Sequence, residues 1–119
     1  MKPYKPYISQ TVSELWDKLG SMMLNSPTFI DETGFYPAKG IDSEFFSLNE
    51  SLKLLRPQFG EENYAKMVAL SDKMRAHFEA DPEDKTDDTL MGRDCLLAME
   101  DIIKSLRRKR TPDSLPRQD

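Results

Sequence analysis

Phe45, Leu48, Leu52, Leu55 and Phe59 recur at intervals of three and four residues. On a helix of about 3.6 residues per turn these five side chains form one apolar stripe, whereas on a strand they would scatter over both faces. A stripe of this kind is stable only when buried, so the rest of the chain has to supply matching faces. Asp42 and Ser43 stand where a helix entrance takes capping residues, and Pro57 interrupts the pattern near its end.

Matching faces are present. Thirteen leucines and seven methionines against two valines favour helix, because unbranched side chains lose little rotamer freedom there. Val12, Leu15, Trp16, Leu19 and Met22 or Met23 share one face of a first helix, opened by Thr11 and Glu14 in capping-box register. Gly20 is its weak point and allows a bend or an early end near Ser21. Ser26, Pro27 and Gly34 have the order of an N-cap, a first-turn proline and a terminal glycine, which predicts a short helix. A connection follows in which Phe35 and Tyr36 either tuck into the core, the preferred reading, or face a partner.

Gly60 opens a further helix with Glu61 and Glu62 in its first turn and Tyr64, Met67, Ser71, Met74 and Phe78 on one face, running close to Ala80. Asp81 and Pro82 end it, since the residue before a proline is driven from the α region. A last helix starts at Asp87 or Asp88. Met91, Cys95, Ala98, Ile102 and Leu106 form its main face, and Leu90, Leu97, Met99 and Ile103 widen it, which implies deep burial. The expected fold is thus all-α: a compact, single-domain bundle of about four main helices plus a short one, joined by acidic and aromatic loops. Its organisation reads as an extended arm over residues 1–8, a helical domain over 9–108 and a flexible, basic, proline-containing tail over 109–119.

A net charge of −4 disfavours general binding to nucleic acid and suits attraction to basic proteins. The charge is unevenly spread. Residues 79–88 hold six acids, Glu79, Asp81, Glu83, Asp84, Asp87 and Asp88, against Lys85 alone, whereas Lys104, Arg107, Arg108, Lys109 and Arg110 form a basic pole. The single cysteine, Cys95, excludes an internal disulfide and suits a reducing compartment. No apolar run follows Lys2 and Lys5 to serve as a signal peptide, and none reaches membrane-spanning length, so a cytoplasmic protein without membrane contact is expected.

Reactive groups are scarce. His77 is the only histidine, and Cys95 falls on a face the pattern buries, so nucleophilic machinery of the Ser-His-Asp or Cys-His kind is not expected. One histidine and one cysteine cannot supply a zinc ligand set. The acidic run lacks the glycine turn and closing glutamate of a calcium loop and reads as a solvated hinge. Glycines at 20, 34, 40, 60 and 92 stand singly, with no phosphate-binding loop among them. No catalytic residue, metal or cofactor is assigned, and no enzyme is expected. The basic cluster suits the carbonyl end of a helix more than phosphate contacts.

The succession Gly60-Glu61-Glu62-Asn63-Tyr64, then residues 74–86 reading MRAHFEADPEDKT, then Met99-Glu100-Asp101-Ile102-Ile103 resembles small bacterial immunity proteins encoded beside contact-dependent growth inhibition toxins. The resemblance covers less than half of the chain. It implies a stoichiometric, non-enzymatic inhibitor that binds the C-terminal domain of a cognate toxin, several such toxins being nucleases with basic clefts. The implied partner-binding residues are Glu79, Asp81, Glu83, Asp84, Asp87 and Asp88, with Phe35 and Tyr36 as further anchors. The alternative is a helical adaptor or regulator that self-associates or binds a partner helix through methionine-rich faces such as Met22, Met23, Met67 and Met74.

Overall fold

A computed structural model describes residues 6–30 and 40–110, with side chains through Leu106. Four helices make up the fold: α1 (Val12–Asn25), α2 (Ile41–Phe59), α3 (Glu61–Ala80) and α4 (Asp88–Arg110). Each packs on its neighbours in chain order, most extensively α3 on α4, and α1 closes the ring on α4. The architecture is an all-α, single-domain bundle with no strand among the described residues. None of the helices is long and apolar enough to cross a membrane, among the described residues.

The helix borders follow from local chemistry. At the start of α1 the Thr11 hydroxyl accepts from the Glu14 N–H at 3.1 Å. The Glu14 carboxylate reaches back to the Gln10 N–H at 2.7 Å and accepts from the Tyr7 hydroxyl at 3.0 Å. Orphan donors at the helix entrance are thereby satisfied. Gly20 neither bends nor ends the helix, which continues to Asn25. At α2 the N-cap is Gly40, whose N–H donates to the Ser43 hydroxyl at 3.0 Å. Pro57 sits inside the last turn of α2 without ending it, and Gly60, with φ +81°, separates α2 from α3.

The short helix expected from Ser26 does not begin there. Ser26 is spent on closing α1: its N–H donates to the Met22 carbonyl at 2.9 Å and its hydroxyl to that of Met23 at 3.1 Å. The Ser26-Pro27 peptide is cis, residues 26–28 form a turn, and Phe29 follows with φ 61°. Residues 31–39, which include Gly34, Phe35 and Tyr36, lie outside the described residues.

Leu15, Leu19, Met22, Leu48, Leu52, Met67, Met74, Leu96, Met99 and Ile103 are fully buried and form one core. Phe29 joins them, edge-on to Phe45 at 6.0 Å and to Phe78 at 5.6 Å between ring centres. On α4 the buried face agrees with the expected one in part and is rotated from it in part. Cys95, Met99, Ile103 and Leu106 are buried as expected and Thr89, Gly92 and Leu96 join them, whereas Leu90, Met91 and Leu97 are 56%, 51% and 49% exposed. Gly92 explains the rotation, because α4 lies so close to Phe78 that a β-carbon at this position would stand 2.4 Å from the ring. The helix turns its only side chain without volume toward the largest one opposite it.

The extended arm is fastened to α2 through residues 7–9. Ser47 donates to the Tyr7 carbonyl at 2.5 Å, and Ser51 accepts from the Ser9 N–H at 2.8 Å while donating to the Ser47 carbonyl at 2.7 Å. Both serines are wholly buried, and these bonds satisfy hydroxyls that would otherwise be costly in the core.

Candidate functional site

The acidic segment of residues 79–88 is the hinge between α3 and α4, and its six carboxylates have different places in it. Asp81 is 3% exposed. One of its oxygens accepts from the Lys85 N–H at 2.7 Å. The other accepts from the N–H of Thr86 at 3.0 Å and from the N–H and hydroxyl of Thr89 at 3.2 and 2.8 Å. Burial pushes this carboxyl upward, but the Lys85 N–H, the Thr89 hydroxyl and the N–H groups of Thr86 and Thr89 outweigh it and hold it well below the usual carboxylate range. A residue that ends α3 thereby also caps the beginning of α4.

The sequence places Asp81 among the candidate partner-binding acids; the structure instead buries it beneath the turn, where it holds the backbone of residues 85–89. Asp88 also has a local role. Its carboxylate meets His77 Nδ1 at 2.8 Å and the Thr86 hydroxyl at 3.3 Å, linking the last turn of α3 to the first turn of α4. Between these two anchors the chain makes a tight turn, in which Asp84 adopts φ 56° and its N–H donates to the Asp81 carbonyl at 3.1 Å.

The other four acids stand in water. Glu79 pairs with Arg75 at 2.9 Å, Glu83 with Lys85 at 2.7 Å, and Asp84 lies 3.9 Å from Arg93. Asp87 has no ion pair among the described residues. Exposed pairs of this kind contribute little to stability and leave the carboxylates accessible. Arg93 also donates to the Ser26 hydroxyl at 2.9 Å, which ties the turn after α1 to the same end of the bundle.

An apolar recess of about 350 Å³ lies beside the hinge, lined among others by Pro27, Ile30, Ile41, Phe78, Glu79 and Pro82. Sequence periodicity gives no sign of it, since its walls come from two turns and two helix ends far apart in the chain. Phe35 and Tyr36, which the sequence reading prefers in the core and alternatively sets as partner anchors, lie outside the described residues.

Elsewhere Cys95 and His77 line a second recess, of about 280 Å³, between α3 and α4. Cys95 is 5% exposed, and burial pushes its thiol above the ordinary value. His77 is occupied by Asp88. Among the described residues no group of three or more His, Cys, Asp or Glu side chains is placed to hold a metal ion. Met22, Met67 and Met74 are fully buried and Met23 partly so, which makes them core residues rather than an open strip. Comparison with protein-family models, curated proteins and solved structures gives no match.

Proposed function

We propose that this chain is an immunity protein: a non-enzymatic, stoichiometric inhibitor that binds the C-terminal domain of a cognate bacterial toxin in the cytoplasm. The toxin domain is proposed to be a nuclease with a basic substrate cleft. The observation that carries this reading is the hinge, where Glu83, Asp84 and Asp87 project into solvent from a turn whose backbone is fixed by the buried Asp81. Fixed carboxylates of one sign raise encounter rates with a basic surface and set register, and they do so without the entropic cost of ordering a loop. Resemblance of residues 60–64, 74–86 and 99–103 to immunity proteins supports the same reading.

The test is co-expression with the toxin domain encoded in the adjacent open reading frame. Protection of the cells, and an equimolar complex on size exclusion, are the expected results; a toxin that kills regardless of this protein overturns the reading. A second reading, a helical adaptor, draws on the half-exposed Leu90, Met91 and Leu97 of α4. A constitutive dimer, dispersed by Leu90→Ser and Leu97→Ser, would favour it.

A further inference from the structure

We infer that the outward face of α4 is an interaction surface, and that its occupant is a basic amphipathic helix of a partner protein, with lysine or arginine recurring every seven residues and an apolar side chain between them. This face extends well beyond the hinge, and its occupant need not be a toxin. Asp87 at the helix entrance, Asp94 and Asp101 are exposed and stand seven residues apart, which on a helix sets them nearly in one line at intervals of about 10 Å. None of the three has an ion-pair partner among the described residues.

Three features define the occupant. The charge of the line is uncompensated: Glu50, Glu61, Glu62 and Glu83 each meet a lysine or arginine at 2.5–3.3 Å, and the three aspartates do not. Two lysines border the line, Lys73 beside Asp94 in the wall of the 280 Å³ recess and Lys104 three residues beyond Asp101, over the Trp16 ring at 6.0 Å, and neither forms an ion pair with it. Second, helical register flanks the line with apolar side chains. Leu90 and Leu97, 56% and 49% exposed, lie to one side, and Met91, 51% exposed, lies to the other with Leu70 and Ala98 of the recess. Exposed apolar surface around unpaired carboxylates selects a partner that brings both an apolar contact and a cation. Third, the spacing is rigid, because Leu96, Met99 and Ile103 hold the opposite face of α4 in the core. A helix laid along α4 repeats the same interval every seven residues on one face; an extended chain covers about 10 Å in three residues, which turns successive side chains to opposite sides.

Four helical peptides with blocked ends serve as probes, titrated into the ¹⁵N-labelled full chain. The first is three repeats of Lys-Ala-Ala-Leu-Ala-Gln-Ala; the others replace its lysines by glutamate, replace its leucines by glutamine, or exchange lysine with glutamine, which moves the cations to the face opposite leucine. Saturable shifts at Leu90, Asp94, Leu97 and Asp101 are expected with the first peptide alone. Asp94→Lys with Asp101→Lys, both at exposed positions, is expected to weaken that binding about tenfold and to leave the urea midpoint nearly unchanged. Equal binding of any control peptide overturns the proposal, since charge, apolar contact and register are each required; so do shifts confined to another face, and so does the absence of binding by the first peptide. Sedimentation of the chain alone tests the competing occupant: a dimer dispersed by Leu97→Ser means that a second copy covers this face, and overturns the proposal as well. None of these measurements involves a toxin, so their failure leaves immunity to its own test, and a toxin that kills regardless leaves this face standing.

Discussion

The same substitution, glycine to alanine, is expected to have opposite effects at two helical positions of this protein. Gly92 faces Phe78 across the α3–α4 contact, and an added β-carbon would stand 2.4, 2.7 and 2.8 Å from three ring atoms. That ring is wholly buried and packed against Phe29, so it cannot swing into solvent. Overpacking of a dense core costs about 1–3 kcal/mol, and the severity of this clash places it near the upper end, at ~3 kcal/mol. Helix propensity returns ~1 kcal/mol, leaving Gly92→Ala destabilised by ~2 kcal/mol. At Gly20 a β-carbon meets nothing within 4 Å, so Gly20→Ala gains the propensity alone and is stabilised by ~1 kcal/mol. Urea denaturation at constant slope measures both. Phe78→Leu should relieve the clash, so that Gly92→Ala costs markedly less in that background, a coupling of the size seen between contacting residues. Gly92→Ala as stable as wild type, or the same cost for Gly92→Ala with and without Phe78, would refute the argument that this contact sets the rotation of α4.

Three further predictions rest on the hinge and the core. Because the folded Asp81 carboxyl lies below its unfolded value of 3.8, its contribution is fully present above that pH and is lost as the pH falls through and below it. Urea midpoints of wild type and Asp81→Asn should therefore differ most at neutral pH and converge in acid; a constant difference from pH 7 to pH 3 would deny Asp81 this role. Glu83→Lys with Asp87→Lys, which spares both Asp81 and the left-handed Asp84, should slow association with the toxin domain and leave dissociation nearly unchanged, with the effect shrinking as salt is raised. Stopped-flow kinetics read this directly, and an unchanged association rate removes the hinge from the interface. Cys95, largely buried and with a raised thiol pKa, should react with a disulfide reagent at neutral pH more slowly in the native protein than in the unfolded chain, so that reaction accelerates across the urea transition. Fast labelling of the native protein would contradict its burial.

How far the sequence is legible depends on how local each determinant is. The borders of α3 and the entrance of α1 depend on residues within four positions of one another, Gly60 with Glu61 and Thr11 with Glu14, and periodicity with capping chemistry places them correctly. The face of α4 is not local. Leu90, Met91 and Leu97 are as apolar as Leu96 and Met99, so hydropathy alone permits a broad stripe, and the close approach of Phe78 to Gly92 decides which part of it turns inward. Ser26 illustrates the same limit from the other side. Its hydroxyl can cap a following helix or close a preceding one, and the bond to the Met23 carbonyl, together with that from Arg93, commits it to the second.

The acidic hinge shows why a charge run cannot be read as a uniform surface. By composition its six carboxylates are equivalent, yet a chain that leaves one helix and enters the next within seven residues has N–H groups to satisfy at the second entrance. Asp81 sits where its side chain can reach the N–H groups of Lys85, Thr86 and Thr89 at once, and meeting that need takes it out of solvent. Asp88, drawn to His77 and Thr86, is partly withdrawn in the same way. The remaining acids stay exposed, and three of them, Glu79, Glu83 and Asp84, face basic side chains at the surface. Any partner that meets this end of the bundle therefore meets Glu79, Glu83, Asp84 and Asp87, and it meets them on a turn whose shape Asp81 sets from beneath.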